Sequence, residues 1–199
     1  MKNIVILTGA SGIIEWHEWF KNECEKLGYN VVLPVMPCKH DKNPNYPWVR
    51  EELFKLMEDG TINKDSIVVA HSLGTLSFAK FVAETGLSVY AFISVAGFCG
   101  KLRYSKNPKL LVKNRVKQVF TNKLEYHLSE EEAKKAAPLL GIKHAMYSDN
   151  DHLISKKELE RYANLIGAEH HFFEGRGHFS RTSKTMVLPE IMDILKKLG

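Results

Sequence analysis

Short runs of consecutive apolar, often β-branched residues alternate along the chain with longer stretches whose apolar residues recur at helical spacing. The short runs predict strands at Asn3–Thr8, Asn30–Val35, Ser66–Ala70, Val89–Ala96, Lys143–Ser148 and Glu169–Glu174. The longer stretches predict helices at Glu15–Leu27, Trp48–Met57, Leu73–Thr85, Glu130–Ala136, Lys156–Leu165 and Leu188–Leu198. Strands that are apolar at every position, such as residues 67–70, are typical of parallel sheets covered by helices on both faces. The alternation therefore predicts an α/β fold with a mostly parallel sheet.

One segment interrupts this alternation. About 45 residues separate the fourth predicted strand from the fifth, whereas a crossover between parallel strands needs only about a dozen. We expect one domain, residues 1–199, with a basic helical excursion at about 101–138 that includes helices near Pro108–Val119 and Ser129–Ala136. Residues 101–124 contain eight basic and no acidic side chains. This stretch predicts either a solvated cationic helix or a flap that attracts an anionic ligand.

The composition indicates an ordinary globular protein. Of the 199 residues, 44% are hydrophobic and 26% are charged, and the net charge is +5. No apolar run approaches the roughly 20 residues of a membrane span, and the apolar run after Lys2 is too short for an export signal. We therefore expect a cytoplasmic protein without a membrane span. The basic charge lacks a nucleic-acid-binding motif, so a mildly basic solvated surface is the preferred interpretation.

The three cysteines, Cys24, Cys38 and Cys99, are odd in number and widely spaced. They form no C-x-x-C pair and no zinc-finger spacing, which favours reduced thiols. We therefore expect no metal site from the cysteine pattern.

Ligand sites in parallel α/β sheets lie at the carboxyl ends of the strands. The segments that directly follow the predicted strands are residues 9–12, 37–40, 71–74, 97–98, 149–151 and 175–178. They supply a serine, then an aspartate, then a histidine in chain order. That order is the one found in α/β-hydrolases.

The serine lies in a strand–turn–helix segment, residues 67–76, which is the context of a nucleophile elbow. Gly74 occupies the second small position of that motif, and Ala70 stands where the motif has its first glycine. We expect Ser72 to be exposed above the sheet, with the backbone N–H of Leu73 as an oxyanion donor. The alternative is an ordinary turn in which Ser72 caps the following helix.

Nine histidines are present, and a general base for Ser72 must reach its hydroxyl from a loop beyond a strand end. His178 meets this requirement, because it follows the last predicted strand in a loop flanked by glycines, residues 175–179. His71 precedes Ser72 and should face elsewhere, so we interpret it as structural.

Two carboxylates, Asp149 and Asp151, follow the fifth predicted strand and compete for the role of the acid that orients His178. Asp151 is the preferred candidate, because Leu153 and Ile154 after it can pack beneath the loop and anchor it. Asp149 is the alternative, and it could instead stabilise the turn.

The first loop, residues 8–12, resembles the start of a dinucleotide fingerprint, which makes an NAD-dependent reductase a rival interpretation. Glu15 occupies the third glycine position of that pattern, no acidic residue ends the second predicted strand, and no tyrosine is followed by a lysine four residues later. In a hydrolase the same loop would supply the second oxyanion donor, the backbone N–H of Ala10. The residues expected to line the pocket are Gly9, Ser11, Trp16, Phe98 and Phe179, although Trp16 also fits a place in the core.

These segments together resemble the small serine hydrolases of the retinoblastoma-binding protein 9/YdeN type, compact members of the α/β-hydrolase superfamily. The similarity extends over nearly the whole chain. It rests on the glycine turn after the first strand, Trp16 and Trp19, Met36-Pro37, residues 69–74, residues 94–98, residues 148–154 and Gly177-His178-Phe179. The long basic segment after Gly100 and Ser155, where many relatives have proline, depart from the family pattern.

The resemblance implies a Ser72–Asp151–His178 triad, a six-stranded sheet ordered 2-1-3-4-5-6 and no cofactor. We expect a serine hydrolase that cleaves small esters, thioesters or amides through an acyl-enzyme. The alternatives are a non-catalytic protein-binding module on a hydrolase fold and, less favoured, the NAD-dependent reductase.

Overall fold

The computed structural model describes residues 2–37, 46–100 and 126–198, which include a six-stranded sheet in the order β2-β1-β3-β4-β5-β6. Every neighbouring pair of strands is parallel. The strands are β1 (Asn3–Leu7), β2 (Asn30–Val32), β3 (Ile67–His71), β4 (Ala91–Val95), β5 (Ile142–Ser148) and β6 (Glu169–Phe173). The predicted fold class and strand order are confirmed. β2 ends before its predicted limit, Val35, since Pro34 has no N–H to donate to a ladder.

The α-helices in the described residues are α1 (Glu15–Lys26), α2 (Tyr46–Glu58), α3 (Leu73–Thr85), α4 (Glu130–Ala136), α5 (Lys156–Ile166) and α6 (Pro189–Lys197). Short 3₁₀ turns follow at Ala137–Leu139 and Arg181–Ser183. Each α-helix begins and ends within two residues of its predicted limits. Among the described residues there is no helix with the length and apolar character needed to cross a lipid bilayer.

Helices cover both faces of the sheet. Every residue of β3 and β4 is buried, and successive residues of a strand point to opposite faces. In the sheet, β2 lies on one side of β1, and β3 to β6 follow one another on its other side. Right-handed crossovers therefore place α1 on one face and α2 to α5 on the other. The four helices α2 to α5 form one layer, because α2 contacts α3, α3 contacts α4 and α4 contacts α5.

The reversal of strand order at β1 and β3 positions the site. Connections leave these two neighbouring strands in opposite directions, so a crevice opens at their carboxyl ends. Gly9 and Ala10 follow β1, and Ser72 follows β3, at this same edge of the sheet.

The basic excursion departs from and returns to a point just beyond β4. The backbone N–H of Leu128 donates to the carbonyl of Cys99 (3.2 Å), and the N–H of Cys99 donates to the buried carboxylate of Glu158 (3.1 Å). The second predicted helix of the excursion is α4. The first predicted helix, near Pro108–Val119, and the basic stretch at 101–124 lie outside the described residues.

Candidate active site

Ser72 lies in a strained turn between β3 and α3. Its φ of 55° and ψ of −120° are rare for a residue other than glycine, and such a conformation costs on the order of 1–3 kcal/mol. A hydrogen bond from its own N–H to the carbonyl of Val95 (2.9 Å) holds this backbone in place. The side chain does not cap the helix, which argues against the interpretation of Ser72 as an ordinary N-cap.

Two glycines allow the backbone to pass close to Ser72. A β-carbon at Gly74 would lie 2.7 Å from the carbonyl oxygen of Leu7, so only glycine lets α3 cross the end of β1. A β-carbon at Gly9 would lie 2.8 Å from Cβ of Ser72, which shows how closely the first loop approaches the serine. Ala70, at the first small position of the elbow, fits within the core without disturbing the turn.

Ser72, His178 and Asp151 are joined by two hydrogen bonds. Nε2 of His178 lies 2.9 Å from Oγ of Ser72, and Nδ1 of His178 lies 2.6 Å from Oδ2 of Asp151. An ionised Asp151 accepts a hydrogen bond from the Nδ1–H group, so the imidazole presents its Nε2 lone pair to the serine hydroxyl. Ser72 therefore donates its hydrogen bond to His178. All three residues are buried, so the expectation that Ser72 is exposed above the sheet is wrong: its hydroxyl is covered by the loop that carries His178.

Asp151 is held ionised within the protein. Burial raises the pKa of its carboxyl group, but the hydrogen bond and charge of His178 together with the backbone N–H groups of Ile154 and Leu153 outweigh burial, and the net pKa is lowered. Its second oxygen accepts the backbone N–H groups of Leu153 (2.7 Å) and Ile154 (2.9 Å). The predicted anchoring by these two residues thus acts through their backbone groups as well as through the buried side chain of Ile154.

Asp149 has a different position, in the turn that supports the histidine loop. Its Oδ1 accepts the N–H of Gly175 (2.9 Å), and this bond is the main reason that its pKa is lowered. Asn150 accepts the N–H of Gly177 (2.6 Å) in the same way. Side chains that follow β5 therefore hold the loop that follows β6, and Asp151 is the carboxylate that reaches His178.

His71 is bound to the backbone of His178. Its Nε2 lies 3.0 Å from the His178 carbonyl oxygen, so Nε2 carries the proton and donates it. Burial, followed by repulsion from His178, lowers the pKa of His71 to about 3. His71 is therefore neutral near pH 7 and positions the backbone of His178 without adding a charge beside it. The sequence interpretation of His71 as structural did not include this contact.

Trp16 on α1 holds the next carbonyl of the same loop. Its Nε1–H donates to the carbonyl oxygen of Phe179 (2.9 Å), and Phe179 has a left-handed backbone with φ of 47°. The indole ring also meets the rings of His17 and His71 edge-on. Trp16 and His71 thus fix two consecutive carbonyls of the segment that presents the imidazole to Ser72.

The two predicted oxyanion donors adjoin Ser72. Leu73 is the first residue of α3, where a backbone N–H has no partner within the helix. Ala10 follows Gly9, whose α-carbon faces the side chain of Ser72, and Ala10 itself is exposed. Within the described parts of the chain, neither N–H donates to another protein group.

The predicted pocket-lining residues occupy different environments. Gly9 lies beside Ser72, and Ser11 is exposed at the crevice. The side chains of Trp16, Phe98 and Phe179 are buried in the core cluster. Their contact with a substrate remains a prediction.

Comparison with known proteins, like the geometry of the site, indicates a serine hydrolase. A family model described as serine hydrolase matches residues 5–197. The crystal structure of the ydeN gene product from B. subtilis is similar, with a TM-score of 0.81, 20% identity, and coverage of 100% of this chain and 98% of that chain. A search of curated proteins found no sequence match.

Two other solved structures share the fold at lower identity. A structure from a study of carboxylesterases of the thaumarchaeon Nitrososphaera gargenis has a TM-score of 0.70 and 14% identity, covering 98% of this chain and 89% of that one. A meta-cleavage product hydrolase from Pseudomonas fluorescens IP01 has a TM-score of 0.65 and 12% identity, covering 100% and 90%. Since the family model spans nearly the whole sequence, this chain belongs to the serine hydrolase family.

Proposed function

We propose that this serine hydrolase cleaves small esters, thioesters or amides through an acyl-enzyme formed on Ser72. The observation that carries the proposal is the continuous chain of hydrogen bonds from Asp151 through His178 to a serine in a strained turn. A neutral histidine whose Nε2 accepts from a serine hydroxyl is the arrangement that activates an otherwise weak nucleophile.

In the first half-reaction Oγ of Ser72 attacks the substrate carbonyl while Nε2 of His178 takes the hydroxyl proton. The negative charge that develops on the carbonyl oxygen is stabilised by the N–H groups of Leu73 and Ala10. His178 then gives its proton to the leaving group as the bond to the acyl carbon breaks. Water attacks the acyl-enzyme in the second half-reaction, with His178 again as base, and Ser72 is restored.

The surroundings of His178 favour the imidazolium that forms during both half-reactions. Asp151, buried and ionised, lies 2.6 Å from Nδ1 and stabilises the positive charge. His71 lies against the same ring, and its pKa of about 3 keeps it uncharged. A second positive charge at that distance would oppose protonation of His178.

The carboxylesterase and the meta-cleavage product hydrolase share the fold of this chain, and the proposed cleavage of esters, thioesters or amides rests on the geometry around Ser72. A preference for anionic esters remains a prediction from the basic stretch at 101–124. A cytoplasmic location is likewise a proposal, supported by the reduced, buried Cys24 and Cys99.

The test is labelling of the purified protein with a fluorophosphonate probe, which reacts with activated serines. We expect wild type and Ser77→Ala to be labelled and Ser72→Ala to remain unlabelled. Ser77 is a suitable control, because it is also buried on α3 but its hydroxyl donates to the Leu73 carbonyl (2.8 Å). Folded wild-type protein that takes no label would contradict the proposal and favour a binding module. A thermal shift with NAD would favour the reductase.

A further inference from the structure

A second group of histidines lies within the strand pair β5 and β6, at one edge of the sheet. His144 on β5 is paired in register with Glu169 on β6, and His171 is two residues beyond Glu169 on the same face of β6. Their side chains converge between the two strands. His144 is buried, His171 is partly buried and Glu169 is exposed.

The donor atoms are spaced as metal ligands are. Nδ1 of His144 lies 3.0 Å from Nε2 of His171, and the Glu169 carboxylate oxygens lie 3.5 Å and 3.6 Å from these two nitrogens. A tetrahedral ion with ligand bonds of about 2.0–2.1 Å requires ligand atoms about 3.3–3.5 Å apart. The distance between the two nitrogens is shorter than this value, and the two distances to Glu169, each to a different carboxylate oxygen, are equal to it or slightly longer.

A hydrogen-bonded histidine pair explains only part of this arrangement. One proton between Nδ1 of His144 and Nε2 of His171 accounts for their 3.0 Å separation. It does not account for Glu169, whose oxygens lie beyond the usual 2.7–3.2 Å range of N–H···O hydrogen bonds. A shared ion would bring all three ligands into one coordination shell.

We propose that His144, Glu169 and His171 bind a divalent transition-metal ion of the Zn²⁺ type, with water at the remaining position. Two imidazoles and one carboxylate are typical ligands for such ions. The ion would cross-link β5 to the edge strand β6. Since Asp151 follows β5 and His178 follows β6, the ion would stabilise the strand pair that precedes both residues.

Two features of the surroundings weaken the affinity. Nε2 of His144 is buried without a hydrogen-bond partner in the described part of the chain, and the lack of such an outer partner costs about 10- to 100-fold in affinity. Lys197 on α6 lies close enough for its positive charge to act on both imidazoles. We therefore expect a dissociation constant on the order of micromolar rather than the far tighter values of closed structural zinc sites.

The experiment is titration of chelator-treated protein with Zn²⁺ by calorimetry and with Co²⁺ by visible absorption. We expect one site, the intense absorption bands of tetrahedral Co²⁺, and a higher melting temperature with Zn²⁺. His171→Gln and Glu169→Gln should weaken binding at least 10-fold. Glu169→Gln retains the fold because Glu169 is exposed, so it remains informative if His171→Gln is destabilised.

The matched control is His170→Gln, since His170 lies between the two β6 ligands but points to the opposite face and contacts the hydroxyl of Tyr147. It should bind metal as wild type does. Lys197→Gln should bind more tightly, because a repelling charge is removed. Absence of a Co²⁺ spectrum in wild type, or binding in Glu169→Gln and His171→Gln equal to that of wild type, would overturn the proposal. Neither result bears on Ser72.

Discussion

Two pairs of histidines, one beside Ser72 and one within the edge strands β5 and β6, differ in what their ring nitrogens face. Beside Ser72, His178 has Asp151 at Nδ1 and Ser72 at Nε2, while His71 donates to the His178 backbone. Within the edge strands, His144 and His171 face each other. The same residue type thus has two different chemical environments, which are set by the hydrogen-bond partners of the imidazole rings.

The partners of His178 fix which of its ring nitrogens carries a proton, whereas those of His144 and His171 do not. An ionised carboxylate at Nδ1 fixes the tautomer of His178, so a proton can travel only between Nε2 and the serine side. Between His144 and His171 a single proton lies between two similar acceptors, with Glu169 beside them. Such a pair is suited to sharing a cation rather than to general base catalysis.

The largest predicted effect comes from removing the charge of Asp151, which orients His178. Asp151→Asn keeps the shape of the side chain but removes its charge and allows the wrong tautomer, so kcat for a p-nitrophenyl ester should fall by about 10⁴-fold. Steady-state kinetics with matched circular dichroism spectra measures this loss. A fall of less than about 10-fold in a folded variant would mean that Asp151 does not orient His178.

A smaller effect should follow from releasing the backbone of His178. His71→Phe removes the donor to the His178 carbonyl and should lower kcat by about 10- to 100-fold, since small displacements of a catalytic group are costly. His71→Gln can place an amide N–H near the same carbonyl and should recover most of the rate. KM should change little in both variants, because His71 lies beneath the imidazole.

The comparison of His71→Gln with His71→Phe shows whether His71 positions His178 or only fills space. Phenylalanine matches the shape of the His71 ring better than glutamine does, so a packing role predicts the opposite order of activities. Equal rates for the two variants would remove His71 from the set of positioning residues.

A third effect, on stability rather than on the rate, should appear in the pH dependence of unfolding. His71 has a pKa of about 3 in the folded protein against an ordinary 6.5, so only the unfolded chain takes up its proton between these values. The stabilisation is complete above pH 6.5 and is lost as the pH falls toward 3. His71→Phe should reduce the slope of unfolding free energy against pH by up to about 1.4 kcal/mol per pH unit in this window.

Urea denaturation at several pH values between 4 and 7 measures the slope for both proteins. The buried His17 remains in the variant, and its pKa is lowered first by burial and then by repulsion from His71. The difference between the two slopes therefore measures His71 together with its effect on His17. Identical slopes would contradict the burial of a neutral His71.

Local sequence signals were sufficient to predict the helices and strands and to select Ser72, His178 and Asp151. The strand–turn–helix at Ser72, the glycine-flanked His178 and Asp151 after β5 are each visible within a few neighbouring residues. The strand order, implied by the family resemblance, is also confirmed.

Apart from those among Ser72, Asp151 and His178, contacts between distant parts of the chain were not predicted. The bond from Trp16 to the Phe179 carbonyl joins residues 163 positions apart, and no local pattern encodes it. The convergence of His144 with Glu169 and His171 depends on the register of β5 against β6, which the spacing of neither strand reveals. The sequence expectation of no metal considered cysteine motifs alone.

The most direct test of the central claim is to detect the acyl-enzyme itself. Wild-type protein mixed rapidly with p-nitrophenyl acetate, quenched in acid and digested should carry one acetyl group on the peptide that contains Ser72. The burst of p-nitrophenol should equal the enzyme concentration wherever deacylation is slower than acylation. Ser72→Ala should show neither product. Acetylation at another residue, or hydrolysis that persists unchanged in Ser72→Ala, would contradict the account.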